Sequence, residues 1–396
     1  MSSAPPPVTA PSRRIESRIH RVTHGVVDWL RGEEARDAAL PAAAFVAAVH
    51  LLAIAATAAA AALGQAGTAP AGIDLVAAWT HWDVGHYLGI AADGYSATEL
   101  PERIVFFPLF PVLIRLGSVV APPLLVASAI SAAATVAAVV GVYRLARMDG
   151  SRTTARWSVA FLLAYPASFS LVAPYTEALF LAAAAWSLVL ARGAAGAAGV
   201  AGFVAALTRL QGLFLVPALV LEALRARSGR ATALVAALLP LAAFAVYLAL
   251  NQAVFGDPLA FLPMQRTYWF HENAPPWVVI GGLMDAVLAG PQGGDWPTVV
   301  VAPLLAFGLL AVTAAWTLLS RRSRPSYAAY AILTLAALAT LTWPISVPRY
   351  VLGVVPVFLM LGGLGRWPRL ATVAALVSAV CMVALAVVWF TGGWAF

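Results

Sequence analysis

Residues 38–63 read AALPAAAFVAAVHLLAIAATAAAAAL, an unbroken run without one Asp, Glu, Lys or Arg. As a helix, such a run is long enough to cross a ~30 Å hydrocarbon core, which takes about 20 apolar residues. Similar runs recur at 122–144, 157–173, 175–191, 196–209, 211–224, 231–254, 298–319, 326–343, 350–365 and 369–390. Across all 396 residues the chain is 62% hydrophobic and 10% charged, with a mean hydropathy of +0.87. Soluble domains balance apolar and polar residues far more evenly. The expected fold is therefore an all-α polytopic membrane protein, a bundle of about eleven transmembrane helices. Several runs are shorter than a full span, and the pairs 157–191 and 196–224 suit hairpins that dip in and return.

Charge divides the chain. Every one of the 24 basic residues is an arginine. Most fall in the N-terminal segment, at Arg144–Arg156, Arg192, Arg225–Arg230, Arg321–Arg324 and Arg366–Arg369, all on one side if the helices alternate. The positive-inside rule makes that side cytoplasmic. The other side receives Asp74, Asp83, Asp93, Glu99, Glu102, Glu177, Asp257, Glu272, Asp285 and Asp295, although acidic residues do not set topology. Arg103, Arg115, Arg209, Arg266 and Arg349 fall outside or within the membrane and need another explanation. The expected layout is a cytoplasmic tail over 1–37, partly disordered, and one transmembrane domain over 38–390. Long outer loops at 64–121 and 255–297 and an outer tail at 391–396 complete it. Residues 13–37 suit either an amphipathic surface helix or a solvated tail. The net charge of +7 marks topology, not nucleic-acid binding. Cys381 is the single cysteine, so no intrachain disulfide can form. An Ala-rich, lysine-free composition points to a GC-rich bacterial source, and with it to the plasma membrane.

Against this background residues 81–95, HWDVGHYLGIAADGY, stand apart, followed by Phe106-Phe107-Pro108-Leu109-Phe110-Pro111. The loop around them suits short amphipathic helices at the membrane surface. On a helix Asp83, His86 and Tyr87 share one face. A carboxylate there is a usable general base, and the competing role is a helix N-cap among interfacial aromatics. Trp82, Tyr87 and Tyr95 either shape a site or anchor the loop. Glu177, after Tyr175-Thr176, interrupts apolar sequence, which marks a functional carboxylate or a first-turn residue capped by Thr176. Arg209 and Arg349 lie against apolar runs. Guanidinium groups there can clamp a phosphate bidentately, and their alternative is structural pairing with Asp83 or Glu177. Arg266 and His271 are weaker candidates on a loop that equally suits a surface helix. The chain has no Gly-rich nucleotide loop, no HExxH and no cysteine cluster for a metal.

Trp82-Asp83, His86-Tyr87, Gly94-Tyr95 and the Phe-Phe-Pro-Leu-Phe-Pro run together resemble the GPI mannosyltransferase 2 (PIG-V type) family and its bacterial relatives. Tyr165-Pro166-Ala167-Ser168-Phe169 with Tyr175-Thr176-Glu177-Ala178-Leu179-Phe180 is similar to a second family element. Thr208-Arg209-Leu210-Gln211-Gly212 and Pro348-Arg349-Tyr350 resemble two more, in the family's order. The resemblance implies a GT-C type glycosyltransferase that takes mannose from a polyprenyl-phosphate carrier and inverts it onto a glycolipid or glycan acceptor outside the cytoplasm. It implies Asp83 as the general base and no metal or other cofactor. Arg209, Arg349 and His86 are the expected donors to the leaving phosphate. Transfer of another sugar such as arabinose, transfer to protein, and lipid or small-molecule transport are the alternatives. Transport predicts charges at mid-membrane in paired broken helices, whereas the charges here gather at helix ends.

Overall fold

The computed structural model describes residues 32–62, 74–321 and 323–396. The helix-or-tail alternative for 13–37 therefore falls largely outside the described residues. The described chain is helical throughout, with one isolated bridge between Asn273 and Leu341. The helices are α1 Ala35–Ala62, α2 Leu75–Trp79, α3 Asp83–Asp93, α4 Leu109–Gly117, α5 Pro123–Asp149 and α6 Arg152–Ala164. They continue as α7 Glu177–Leu190, α8 Ala195–Thr208, α9 Leu210–Leu224, α10 Arg230–Phe255, α11 Phe261–Trp269 and α12 Pro276–Leu288. The last are α13 Pro297–Leu319, α14 Pro325–Leu338, α15 Val347–Leu352, α16 Val355–Gly362 and α17 Pro368–Phe390.

Local chemistry sets many of these boundaries. Proline opens α5, α12, α13, α14 and α17, where the missing N–H is one the helix could not have used. Ser151 caps α6 by accepting from the Thr154 N–H at 3.1 Å. Gly256 ends α10 in the left-handed region at φ 70.

All eleven apolar runs are helical, but they are not eleven full spans. Among the described residues, five helices (α1, α5, α10, α13 and α17) are long and apolar enough to cross a membrane. A sixth candidate is the run at 350–365, broken between α15 and α16 with a 65° bend. The chain at Gly353-Val354 interrupts it, ahead of Pro356. The runs at 175–191, 196–209, 211–224 and 326–343 are shorter apolar helices, and so is α12 inside the loop expected at 255–297. In the 64–121 loop the short α3 and α4 appear as expected.

Helix α7 lies at the centre, its residues almost all buried between α5 and α8. Small residues allow such approach: Gly199 on α8 sits so close to α10 that a Cβ would overlap the Ala236 carbonyl. The Asp149–Arg192 end of the bundle is ionic. Arg192 donates to both oxygens of Asp149 at 2.7 Å, and Arg324 donates to both oxygens of buried Glu222 at 2.8 and 2.6 Å. Glu33 and Asp37 pair with Arg147 and Arg152 at 2.7 and 2.6 Å and pin the start of α1. Beyond α17, Ala395 and Phe396 are packed in, each 1% exposed.

Gly199→Val should overpack the α8–α10 contact and destabilise the protein by about 1–3 kcal/mol. A lowered melting temperature in detergent would register it, and an unchanged one would show that the helices can separate freely.

Candidate functional site

At the opposite end of α7 from Arg192, four chain segments bring their charges together. Glu177 is the first residue of α7 and is 3% exposed. Its Oε1 accepts from Arg209 Nη1 at 2.6 Å and from Arg349 Nε at 2.8 Å. Arg349 Nη2 donates in turn to Asp83 Oδ2 at 2.8 Å. Arg209 comes from the C-terminal cap of α8, in extended conformation, and Arg349 from α15. Asp83 opens α3. Two carboxylates and two guanidinium groups thus alternate in a formally neutral row.

Aromatic and hydroxyl groups line that row. The Arg349 guanidinium lies 4.4 Å from the Tyr175 ring centre, and Arg209 lies 5.2 Å from that of Tyr350. The Tyr175 hydroxyl accepts from Trp389 Nε1 at 3.1 Å. Thr176 Oγ1 accepts from Arg209 at 3.0 Å and meets the Tyr87 hydroxyl at 3.2 Å. The Phe396 carbonyl accepts from Arg349 Nη1 at 3.3 Å, so the end of the chain closes one flank.

Position in the fold bears on several of the sequence alternatives. The N-cap of α3 is Trp82, not Asp83, whose carboxylate turns to Arg349 instead. Trp82 adopts φ 54 and ψ −125, a sparsely populated conformation that costs of order 1–3 kcal/mol, and packs edge-on against Trp394. Thr176 makes no side-chain cap for α7, because its hydroxyl is taken up by Arg209 and Tyr87. Arg209 and Arg349, expected at a phosphate, are paired with Glu177 and Asp83, the structural alternative. His86 sits one turn beyond Asp83, stacked on Phe106 at 4.9 Å and edge-on to Trp269 at 5.5 Å. Tyr95 donates to the Phe106 carbonyl at 2.7 Å and so shapes the loop. Arg266 and His271 stay local: Arg266 pairs with Glu272 at 2.7 Å, and His271 with Gln265 at 2.7 Å. Sequence reasoning missed the parts played by Thr176, Trp389 and Phe396. Only the threonine carried a signal, its place directly before a buried glutamate.

Glu177 Oε2 is buried without a partner among the described residues, and Asp83 offers the row's other unpaired oxygen. The Asp83 side chain is 19% exposed, and Oδ1 has no protein partner among the described residues. Burial lowers the proton affinity of His86, with Arg103 adding to the effect and Asp83 and Glu102 opposing it. His81 and His271 are also held below 6.5, again chiefly by burial. The arrangement can receive a proton at Asp83 beside a mostly neutral imidazole.

No family model matches the sequence, and no curated protein matches it. Two solved structures align over 89% of the chain, both of the Archaeoglobus fulgidus oligosaccharyltransferase. The complex with Zn and sulfate is 13% identical with a TM-score of 0.44, and the apo form is 15% identical with a TM-score of 0.43. The chain covers 53% and 56% of those two chains, about half their length.

Glu177→Gln should leave two buried guanidinium groups sharing a neutral amide, a loss of about 3–5 kcal/mol; retention of the wild-type melting temperature would contradict it. The histidines set a pH trend. Below pH 6.5 the unfolded chain binds protons that the native imidazoles refuse. Stability should therefore be full above pH 6.5 and fall as the pH drops toward the lowered native values. His86→Gln should flatten part of that fall in a series of melting curves.

Proposed function

We propose that the protein is an inverting membrane glycosyltransferase of the GT-C type, with Asp83 as its general base. The observation that carries this reading is the Asp83 carboxylate, fixed through Oδ2 by a buried arginine while Oδ1 stays open. A base must be rigidly aimed and still open to the acceptor, and an anchored carboxylate with one unpaired oxygen supports that role. The positive charge beside the carboxylates comes from guanidinium groups, which favours chemistry without a metal.

In the proposed reaction, an acceptor hydroxyl gives its proton to Asp83 as its oxygen bonds to the anomeric carbon of the sugar. The bond from that carbon to the phosphate oxygen breaks on the opposite face, and its electron pair leaves with the phosphate. Arg349 holds the base in aim, Glu177 and Arg209 hold Arg349, and Tyr87 with Thr176 fixes Arg209. The sugar is proposed to be mannose, on a polyprenyl-phosphate carrier, and the acceptor a glycolipid or glycan. The site lies at the end of the bundle away from the arginine-rich Asp149–Arg192 end. By the positive-inside rule this supports an extracytoplasmic face of the plasma membrane as its location.

Purified protein given radiolabelled polyprenyl-phosphate-mannose and an extracted glycolipid acceptor should transfer the sugar, and should do so in EDTA. Asp83→Asn should lower kcat by about 10²–10⁴-fold with little change in donor KM. A folded variant as active as wild type would remove Asp83 as the base, and transfer only from a different sugar carrier would replace mannose.

A further inference from the structure

An inverting displacement sets base and leaving group on opposite sides of the anomeric carbon. Arg349 is hydrogen-bonded to the base, and Arg209 is bound to Glu177 and Thr176 behind it. On the reading above both serve the base side of the reaction, and a cation further along α3 is better placed to meet a leaving phosphate. Of the arginines that topology leaves unexplained, Arg115 donates to the Ala91 and Ala92 carbonyls at 3.3 and 3.2 Å, and Arg266 is exposed and paired with Glu272. Arg103 is different.

The Arg103 side chain is 16% exposed, yet its ion pair is with Asp93 at 3.5 Å, the edge of contact, and the Asp93 side chain is 72% exposed. Its Nε is buried without a partner. The guanidinium lies flat on the backbone of α3, where only glycine leaves room: a Cβ at residue 89 would overlap Nη2 and Cζ. Gly89 is six residues beyond Asp83, so the guanidinium stands roughly 9 Å along the helix axis from the base and about a third of a turn around it. A base, an acceptor hydroxyl, an anomeric carbon and a phosphate occupy a span of that order.

A second buried donor lies beside the same histidine. Trp269 packs edge-on to His86 and to Phe106, at 5.5 and 5.4 Å, and its Nε1 is buried without a partner. Helix α11, which ends at Trp269, packs against the 3-10 turn Pro101–Val105 that carries Arg103. Indole and guanidinium N–H groups can only donate, and buried donors left without acceptors mark a place for an acceptor-rich group. The negative neighbours are Asp93 and Glu102, and the contact with exposed Asp93 is weak enough to be given up.

We infer that Arg103, laid across Gly89 beside His86 and Trp269, binds a phosphate group, which on the reading above is the leaving phosphate of a lipid-linked sugar. Glycine at 89 is part of that site, because it seats the guanidinium.

Direct binding of polyprenyl phosphate to detergent-solubilised protein tests this without any turnover, with polyprenol and inorganic phosphate as parallel probes. Arg103→Ala should weaken polyprenyl-phosphate binding about 10–100-fold, and Arg103→Lys should recover part of it. Gly89→Ala keeps the arginine, suits a helix, and should weaken binding by displacing the guanidinium. Equal affinity in Arg103→Ala and Gly89→Ala would overturn the Arg103 assignment and leave the Asp83 chemistry standing. Polyprenol binding as tight as polyprenyl phosphate, or no binding of either by wild type, would overturn the phosphate site together with the lipid-phosphate donor. Inorganic phosphate binding that alone depends on Arg103 would reassign the pocket to a free anion and overturn the inference.

Discussion

Glu177 stands where a bare carboxylate would be untenable, inside apolar sequence at the head of a buried helix. It is tolerated because two guanidinium groups converge on one of its oxygens, from Arg209 and from Arg349. Buried ion pairs of this kind seldom add much net stability over an apolar core, since desolvation offsets most of the attraction. What they impose is geometry. Once Glu177 is charged and buried, α7, the end of α8 and the short helix α15 have one arrangement that leaves no charge unmatched. Asp83 completes the row and fixes α3 to the bundle.

That constraint explains how a rigid polar site can sit on short elements. Helix α3 has eleven residues and α15 has six, too few to be stable alone. Each is held by side chains that meet at the head of α7, with Tyr175, Tyr350 and Trp389 supplying apolar walls that keep the guanidinium groups from water. The 65° break between α15 and α16 has a local consequence: it lets a short helix bring Arg349 to Glu177 while α16 turns back against α6. The opposite end is built by the same rule with different residues. Asp149–Arg192 and Glu222–Arg324 are also bidentate pairs, so polar layers sit at both ends and apolar residues fill the space between.

Within the site, burial sorts the charged groups by what they are free to do. Arg209 and Arg349 are each bound to a carboxylate, so on this reading their part is to position. Asp83 keeps one oxygen open. His86 carries no charge pairing of its own and lies among aromatic rings, where a neutral imidazole is favoured. Arg103 is nearly buried and only loosely paired, which leaves it the readiest of these cations to accept a new anion.

The all-helical membrane architecture was legible in the chain itself, because apolar runs, proline starts and arginine clusters act locally or through the bilayer. Helix α3 and the shared stripe of Asp83, His86 and Tyr87 were legible for the same reason, since helical spacing depends on neighbours in sequence. Which runs make full spans was less so: length counts apolar residues, while the break ahead of Pro356 and the short α7, α8 and α9 depend on what packs around them. Partnership was not legible at all. Arg349 meets Asp83 across 266 positions, and Glu177 across 172, and no local pattern encodes a contact at such separation. Sequence alone marked Asp83, Glu177, Arg209 and Arg349 as residues out of place. Only the tertiary structure decided that they neutralise one another, because burial makes an unpaired charge so costly that the fold brings distant charges together.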